Sequence, residues 1–397
     1  MRTVRLRVWA AALAVWCSAA PCAGAAGEAG GRKLIATEGK GYLETVGGYP
    51  VLHLKGTPEE MGFQHGRLLA RQIARNADML FAGDGKAVKF GPVTIPRAGI
   101  AHLLNASFKD RVPERFVTEM RALARGAGQP FWKIHAANLI PEMFHCSGFA
   151  LLKRATACGK LLHGRVLDYG VGRGLQKTAV LIIQEPDGRI PFANVSYAGF
   201  IGSVTGMNLR QISIGEMGGR GVGRWKGVPM SFLVRMVLEQ AQTLDQAVAV
   251  FKENPRTCEY FYVIADARAD STVGIKAVPD RVELVRPGQK HPLLPHPVPD
   301  TVLMSAGTRY DHLARQVARG HGRFTQASAI RLMDAPVAMK SNLHNALMVP
   351  ADGVIWVANA GPAGQPAWKQ TYHRFDIRRL IKTRPPAAKD PGRAGRP

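Results

Sequence analysis

Cys146, Arg165 and Asp168 are the residues whose types and spacing can do chemistry. Cys146 opens a short apolar run. A connector, Ala155-Thr156-Ala157-Cys158-Gly159, follows, and a second apolar run ends in Gly164-Arg165-Val166-Leu167-Asp168. Short apolar runs bounded by turn residues predict strand, turn, strand. Such a hairpin brings Cys146 and the Arg165/Asp168 pair to one edge. A thiol beside an Arg has a lowered pKa, and the thiolate is the nucleophile. Taken singly, a lone Cys is more often a buried packing residue, and an Arg and Asp three apart are more often a surface ion pair. Only the block as a whole points to catalysis.

That block, FHCSGFALLKRATACGKLLHGRVLDY from Phe144 to Tyr169, resembles the cysteine N-terminal-nucleophile (Ntn) hydrolases. The branch it resembles is the acyl-coenzyme A:6-aminopenicillanate acyltransferase-like family of autoproteolytic acyltransferases and hydrolases. Choloylglycine hydrolases and acid ceramidases are more distant. The resemblance runs from about Gly56 to about Ala360.

It implies an α+β fold, a four-layer αββα sandwich preceded by a mainly helical N-terminal segment. It also implies that Cys146 attacks the carbonyl of the residue before it. An N-to-S acyl shift then gives a thioester, and water releases Cys146 as a new N-terminus. The freed α-amine, with an ordinary pKa of about 8, acts as base for the thiol of the same residue. Arg165 and Asp168 match the family's Arg-x-x-Asp: the Asp holds the amine and the Arg favours thiolate.

Asn208, in Gly206-Met207-Asn208, matches a position where related enzymes place an amide in the oxyanion hole. That chemistry needs a donor fixed where negative charge develops. The plainer role for Asn208 is to form a turn. Two departures stand out. His145 occupies a place where small residues are common, and Ser305 stands where choloylglycine hydrolases carry a second Asn.

Several elements must position these groups. Ala26 to Tyr42 is a Gly-rich lead-in, and Tyr49 to Leu54 a short strand. Thr57, Pro58 and Glu60 form a capping box that opens a helix to about Phe81. Gly62 and Gly66 lie on one face of it, where a neighbour can approach closely. Helices are also expected from Glu114 to Arg125, closed by Gly126 and Gly128, and from Phe131 to Leu139. The segment before Cys146 thus reads as mainly helical.

After Cys146 strands dominate. Thr178 to Gln184 and Ile190 to Ser196 flank Asp187-Gly188, a hairpin signal. Gly202 to Thr205 and Gln211 to Gly215 flank Gly206-Met207-Asn208. Helices follow over Pro229 to Gln240 and from Thr243 to Phe251. Strands return at Tyr260 to Ala265, Gly274 to Ala277 and Val302 to Ser305, then a helix over Thr325 to Met333. A last hairpin joins Ala346–Val349 to Val354–Ala358. His163, Glu259 and Tyr260 read as structural, and His344 and Asn345 as candidates to line the site.

The chain of 397 residues, 46% apolar and 21% charged, is globular by composition. Arg2, Arg5 and Arg7, then Val8 to Cys17, then Ala23-Gly24-Ala25 read as a signal peptide over 1–25. Export to the periplasm or the medium is expected. A lipoprotein anchored through Cys17 or Cys22 is the lesser alternative, since neither sits in a convincing Leu-x-small-Cys context. The rest divides into a helical pro-segment (26–145), an Ntn core (146–377) and a basic disordered tail (378–397).

The net charge of +24 is dense in that tail, which is either simply solvated or weakly attracted to an anionic surface. No nucleic-acid motif accompanies it. Metal-ligand spacing is missing, and no cofactor is expected. Of the three cysteines beyond residue 25, a Cys158–Cys258 disulfide and three reduced thiols both fit.

The function expected is that of an exported autoproteolytic hydrolase. It would cleave or transfer the acyl group of a small linear amide through a Cys146 thioester, its two fragments staying together. The alternative is a catalytically inactive exported binding protein of the same fold. A papain-like protease would need a separate His base and a local Cys signature, which are absent.

Overall fold

The structure is a computed structural model. It describes residues 30–81, 88–90, 93–95, 99, 102, 105–108, 110–139, 146–172, 174–219, 226–383 and 385. The expected signal peptide, the bond before Cys146 and residues 386–397 lie outside the described residues.

The described chain opens with three strands, β1 (Arg32–Glu38), β2 (Gly41–Val46) and β3 (Tyr49–Gly56). β3 is the strand expected at Tyr49 to Leu54, whereas β1 and the start of β2 lie in the stretch read as a Gly-rich lead-in without periodicity. β1 alternates half-buried and exposed positions without a fully buried face. Its pairing with β2, rather than an apolar pattern, makes it a strand.

Helices α1 (Pro58–Leu68) and α2 (Ala70–Phe81) follow, then a small hairpin, β4 (Val88–Phe90) and β5 (Val93–Ile95). The capping box holds: Thr57 Oγ1 accepts from Glu60 N at 3.2 Å, and the Glu60 carboxylate accepts from Thr57 N at 2.8 Å. The single helix expected to Phe81 is broken at Leu69. The break lets α2 turn Ile73, Asn76 and Ala77 inward.

Helices α3 (Glu114–Ala127) and α4 (Phe131–Leu139) complete this segment. Gly62 and Gly66 serve as expected. A Cβ at either would run into the carbonyl oxygen of Glu119 or Leu123 on α3, and a Cβ at Gly126 would meet that of Phe63. The two helix backbones therefore touch.

The core begins with the expected hairpin, β6 (Ser147–Lys153) and β7 (Gly159–Asp168). Next come β8 (Ala179–Pro186), β9 (Phe192–Tyr197), β10 (Thr205–Asn208) and β11 (Ile212–Gly218). Gly206 and Met207, expected in a turn, are paired strand residues. The chain reverses after Asn208, and Gln211 takes the left-handed conformation there.

Helices α5 (Met230–Gln240) and α6 (Leu244–Glu253) precede β12 (Tyr260–Asp266), β13 (Ser271–Ala277), β14 (Val282–Val285) and β15 (Thr301–Met304). Then come α7 (Gly307–Gly320), α8 (Gln326–Arg331), β16 (Asn342–Val349), β17 (Val354–Asn359), β18 (His373–Asp376) and α9 (Ile377–Lys382). α9 shortens the expected disordered tail. Asp376 caps it, and Ile377 and Leu380 are buried, so their burial fixes a helix despite the basic residues between them.

One sheet runs β1-β2-β3-β8-β9-β10-β11-β12-β13-β14, the other β15-β6-β7-β16-β17-β18. β3 pairs in parallel with β8, which sets the N-terminal strands inside the larger sheet. Apolar residues of α1 to α6 cover the outer face of that sheet. Those of α7 and α8 cover the smaller one, and residues from both sheets pack between them. These are the four layers of an αββα sandwich, the α+β class expected.

Candidate active site

Cys146 immediately precedes β6, and Gly148 pairs with Arg165 across the hairpin. Side chains alternate along a strand. Cys146 and Arg165 consequently face the space between the sheets, while Ser147 and Asp168 face α7.

Arg165 is fully buried and reaches across to the larger sheet. Its Nε donates to Glu216 O at 3.0 Å, and its Nη2 lies 3.3 Å from Glu216 Oε2 and 3.5 Å from Cys146 Sγ. Gly215 leaves the room: a Cβ there would stand 2.7 Å from Arg165 Cγ. A guanidinium braced this way offers a donor and a positive charge to a sulfur anion. His163, on the same face of β7, bonds Ser213 Oγ at 2.8 Å, and burial holds its pKa down at about 3.

On the other face, Asp168 Oδ2 accepts from Arg309 Nη2 at 2.5 Å and Oδ1 from Met339 N at 3.0 Å. Arg309 Nη2 also donates to Ser147 Oγ at 2.8 Å, and Ser147 Oγ bonds Ser305 Oγ at 2.7 Å. A charged network thus clamps the backbone next to Cys146. Burial pushes the Asp168 carboxyl above its ordinary range, and the Arg309 charge opposes that push.

Cys146 opens into a cleft of about 450 Å³. Met217, Phe261, Leu294 and Met304 give it apolar walls, and Glu259, Lys276 and His291 supply polar ones. Among the described residues no cluster of three His, Cys, Asp or Glu side chains is arranged to hold a metal. No disulfide joins Cys146, Cys158 and Cys258.

Residues 168–291, starting at the Asp of this site, match the profile of the acyl-coenzyme A:6-aminopenicillanic acid acyl-transferase family. Over that stretch, about a third of the chain, the protein is similar to this family. Protein dcd1B of Dictyostelium discoideum is 24% identical over 381 residues, covering 85% of this chain and 75% of that protein. The N-acylethanolamine-hydrolyzing acid amidase of Mus musculus is 26% identical over 164 residues, covering 38% of this chain and 44% of the amidase. The match thus spans less than half the length of that relative. The solved Caenorhabditis elegans ortholog of that amidase aligns with 52% of this chain and 93% of its own, at 18% identity and a TM-score of 0.42.

The structure brings Cys146 and Arg165 into contact and sets Asp168 on the opposite face of β7. It does not bring Asn208 to them. The Asn208 amide donates to Leu238 O and Ala241 O, and its Oδ1 accepts from Arg210 N and Ile212 N. That is the turn-forming role, at the end of β10 away from Glu216. Asn345 is likewise engaged, by Met333 O, Tyr372 and Asn342. Glu259 lines the cleft, and Tyr260 lies in the core.

Glu216, Ser147 and Arg309 were not foreseen. Glu216 is a charge in an otherwise uncharged strand, Ile212–Gly218, which is a readable signal. Arg309 sits on α7, whose buried Tyr310, Leu313, Ala314 and Val317 have helical spacing.

Proposed function

We propose that this protein is an exported, self-processing Ntn hydrolase that cleaves or transfers the acyl group of a linear amide through a thioester on Cys146. The observation that carries the reading is the contact of Cys146 Sγ with a fixed, buried guanidinium at the end of a cleft.

In processing, Sγ attacks the carbonyl carbon of residue 145. The peptide C–N bond breaks as the C–S bond forms, and the nitrogen takes the thiol proton. Water then hydrolyses the thioester, releasing the carboxylate of residue 145 and regenerating the Cys146 thiol beside the α-amine that the acyl shift freed. In turnover, that amine takes the thiol proton and the thiolate attacks the substrate carbonyl. The ammonium returns the proton to the leaving amine, and water or a second amine takes the acyl group.

Arg165 favours the thiolate. Asp168, clamped with Arg309 beside Ser147, is the group that would orient the amine. Asn208 has no part in this scheme. The apolar walls of the cleft suit an acyl chain, and Lys276 and Glu259 suit a polar head. The name of the mouse relative makes N-acylethanolamines the first substrates to try. The N-terminal fragment stays attached because β3 lies between β2 and β8 in the larger sheet. The basic C-terminal residues add at most weak contact with an anionic surface.

Fluorogenic N-acyl anilides of short, medium and long chain test the reading. Acid quenching during turnover should leave the Cys146 peptide heavier by the acyl group, and Cys146→Ala should give neither adduct nor turnover. Turnover that survives in Cys146→Ala would refute it.

A further inference from the structure

His344, fully buried on β16, lies on the far side of Arg165 from the sulfur. Its register partner on β7 is Leu167, which shares a face with Arg165. His344 Nε2 lies 3.4 Å from Arg165 Nη1 and 3.0 Å from Thr205 Oγ1, and Nδ1 lies 3.0 Å from the Tyr197 hydroxyl. Tyr197 in turn donates to Asn359 Oδ1 at 3.4 Å. A guanidinium can only donate, so Nε2 must present its lone pair to Arg165. The ring proton then sits on Nδ1 and is donated to the Tyr197 oxygen, while the Tyr197 proton goes to Asn359. The Thr205 hydroxyl, 3.0 Å from Nε2, is then a second donor to the same lone pair.

We propose that His344 is a positioning residue: as the neutral Nδ1–H tautomer it holds Nη1 of Arg165, and so fixes which guanidinium nitrogen faces Cys146. The assignment rests on the reading of Cys146 as nucleophile. Glu216 braces the same guanidinium from the opposite sheet through Nε and Nη2, and His344 meets it at Nη1. An imidazolium here would put a second positive charge against Arg165 in a buried site. Burial and the Arg165 charge both drive the His344 pKa well below the usual imidazole range, in keeping with a neutral ring.

The test is the pH dependence of iodoacetamide labelling at Cys146, read by mass spectrometry of the Cys146 peptide from the full chain. His344→Gln places a carbonyl oxygen where Nε2 was, whereas His344→Asn reaches only the Nδ1 position. His344→Asn should move the labelling profile up by about one pH unit, a roughly tenfold slower reaction at neutral pH. His344→Gln should restore the wild-type profile. Tyr197→Phe, which unties the other ring nitrogen without touching Arg165, should shift the profile in the same direction as His344→Asn and serves if that variant does not fold. Identical profiles for wild type, His344→Asn and Tyr197→Phe would overturn the proposal, as would equal shifts in the Asn and Gln variants. A wild-type thiol that labels like free cysteine would overturn the nucleophile reading along with it.

Discussion

Arg165 Nη2 lies 3.5 Å from Cys146 Sγ while the same guanidinium pairs with Glu216 of the opposite sheet. The hairpin β6–β7 supplies the first contact and the stacking of the two sheets supplies the second. The position of the charge beside the thiol is therefore a property of the whole sandwich.

Glu216→Ala removes one half of a pair in which both side chains are fully buried. It should cost about 3–5 kcal/mol of stability, because the remaining charge is stranded away from water. Urea unfolding of the purified full chain measures this. A loss below about 1 kcal/mol, the scale of an exposed pair, would mean that water reaches the guanidinium.

Asn208→Ala separates structure from chemistry. It removes the amide that bonds Leu238 O, Ala241 O, Arg210 N and Ile212 N. A loss of about 1–3 kcal/mol is expected from the buried groups left unsatisfied, with acylation of Cys146 unchanged at temperatures where the variant is folded. A folded variant with slowed acylation would restore Asn208 to the catalytic group.

The contrast between Cys146 and Asn208 shows what the sequence made legible. The hairpin around Cys146 is local, so short apolar runs and a turn define both its strands and its edge. The capping box at Thr57 and the contact glycines Gly62 and Gly66 are local too. Arg309 is 141 residues from Asp168, and Glu216 is 51 from Arg165. Only the stacking of layers joins them. β1 was missed because its order comes from a neighbour strand, and α7 because polar residues surround its four buried positions. Asn208 was misplaced because a turn amide and an oxyanion-hole amide look the same in one dimension.

Gly66→Ala tests the contact of α1 with α3. The new Cβ meets Leu123 O, Ala127 N and the carbonyl carbon of Gly126, all backbone atoms that cannot rotate away. The helices must separate, at a cost of about 1–3 kcal/mol typical of overpacking, seen as a lowered melting temperature. An unchanged or raised melting temperature would mean that helix propensity outweighs the contact.

Acid should weaken the fold below pH 6.5. Burial depresses the pKa of His65 and His163 to about 3. An unfolded chain takes up protons on these rings as pH falls through about 6.5, and the folded chain does not. The stability they contribute is thus complete above that pH and falls away as pH drops toward 3. At pH 5 each ring costs about 2 kcal/mol relative to neutral pH. Asp168 and Glu119, both raised by burial, act with the opposite sign, and mainly at lower pH. Urea midpoints at pH 7, 6 and 5 should fall in step; a flat series would show that the rings are protonated in the fold.

The intact mass of the purified protein under denaturing conditions tests the central claim most directly. Two chains divided between His145 and Cys146, co-purifying in native buffer, are expected, with one undivided chain for Cys146→Ala. A Cys146→Ala protein still cut at that bond would contradict it, because another protease would then be making the cut.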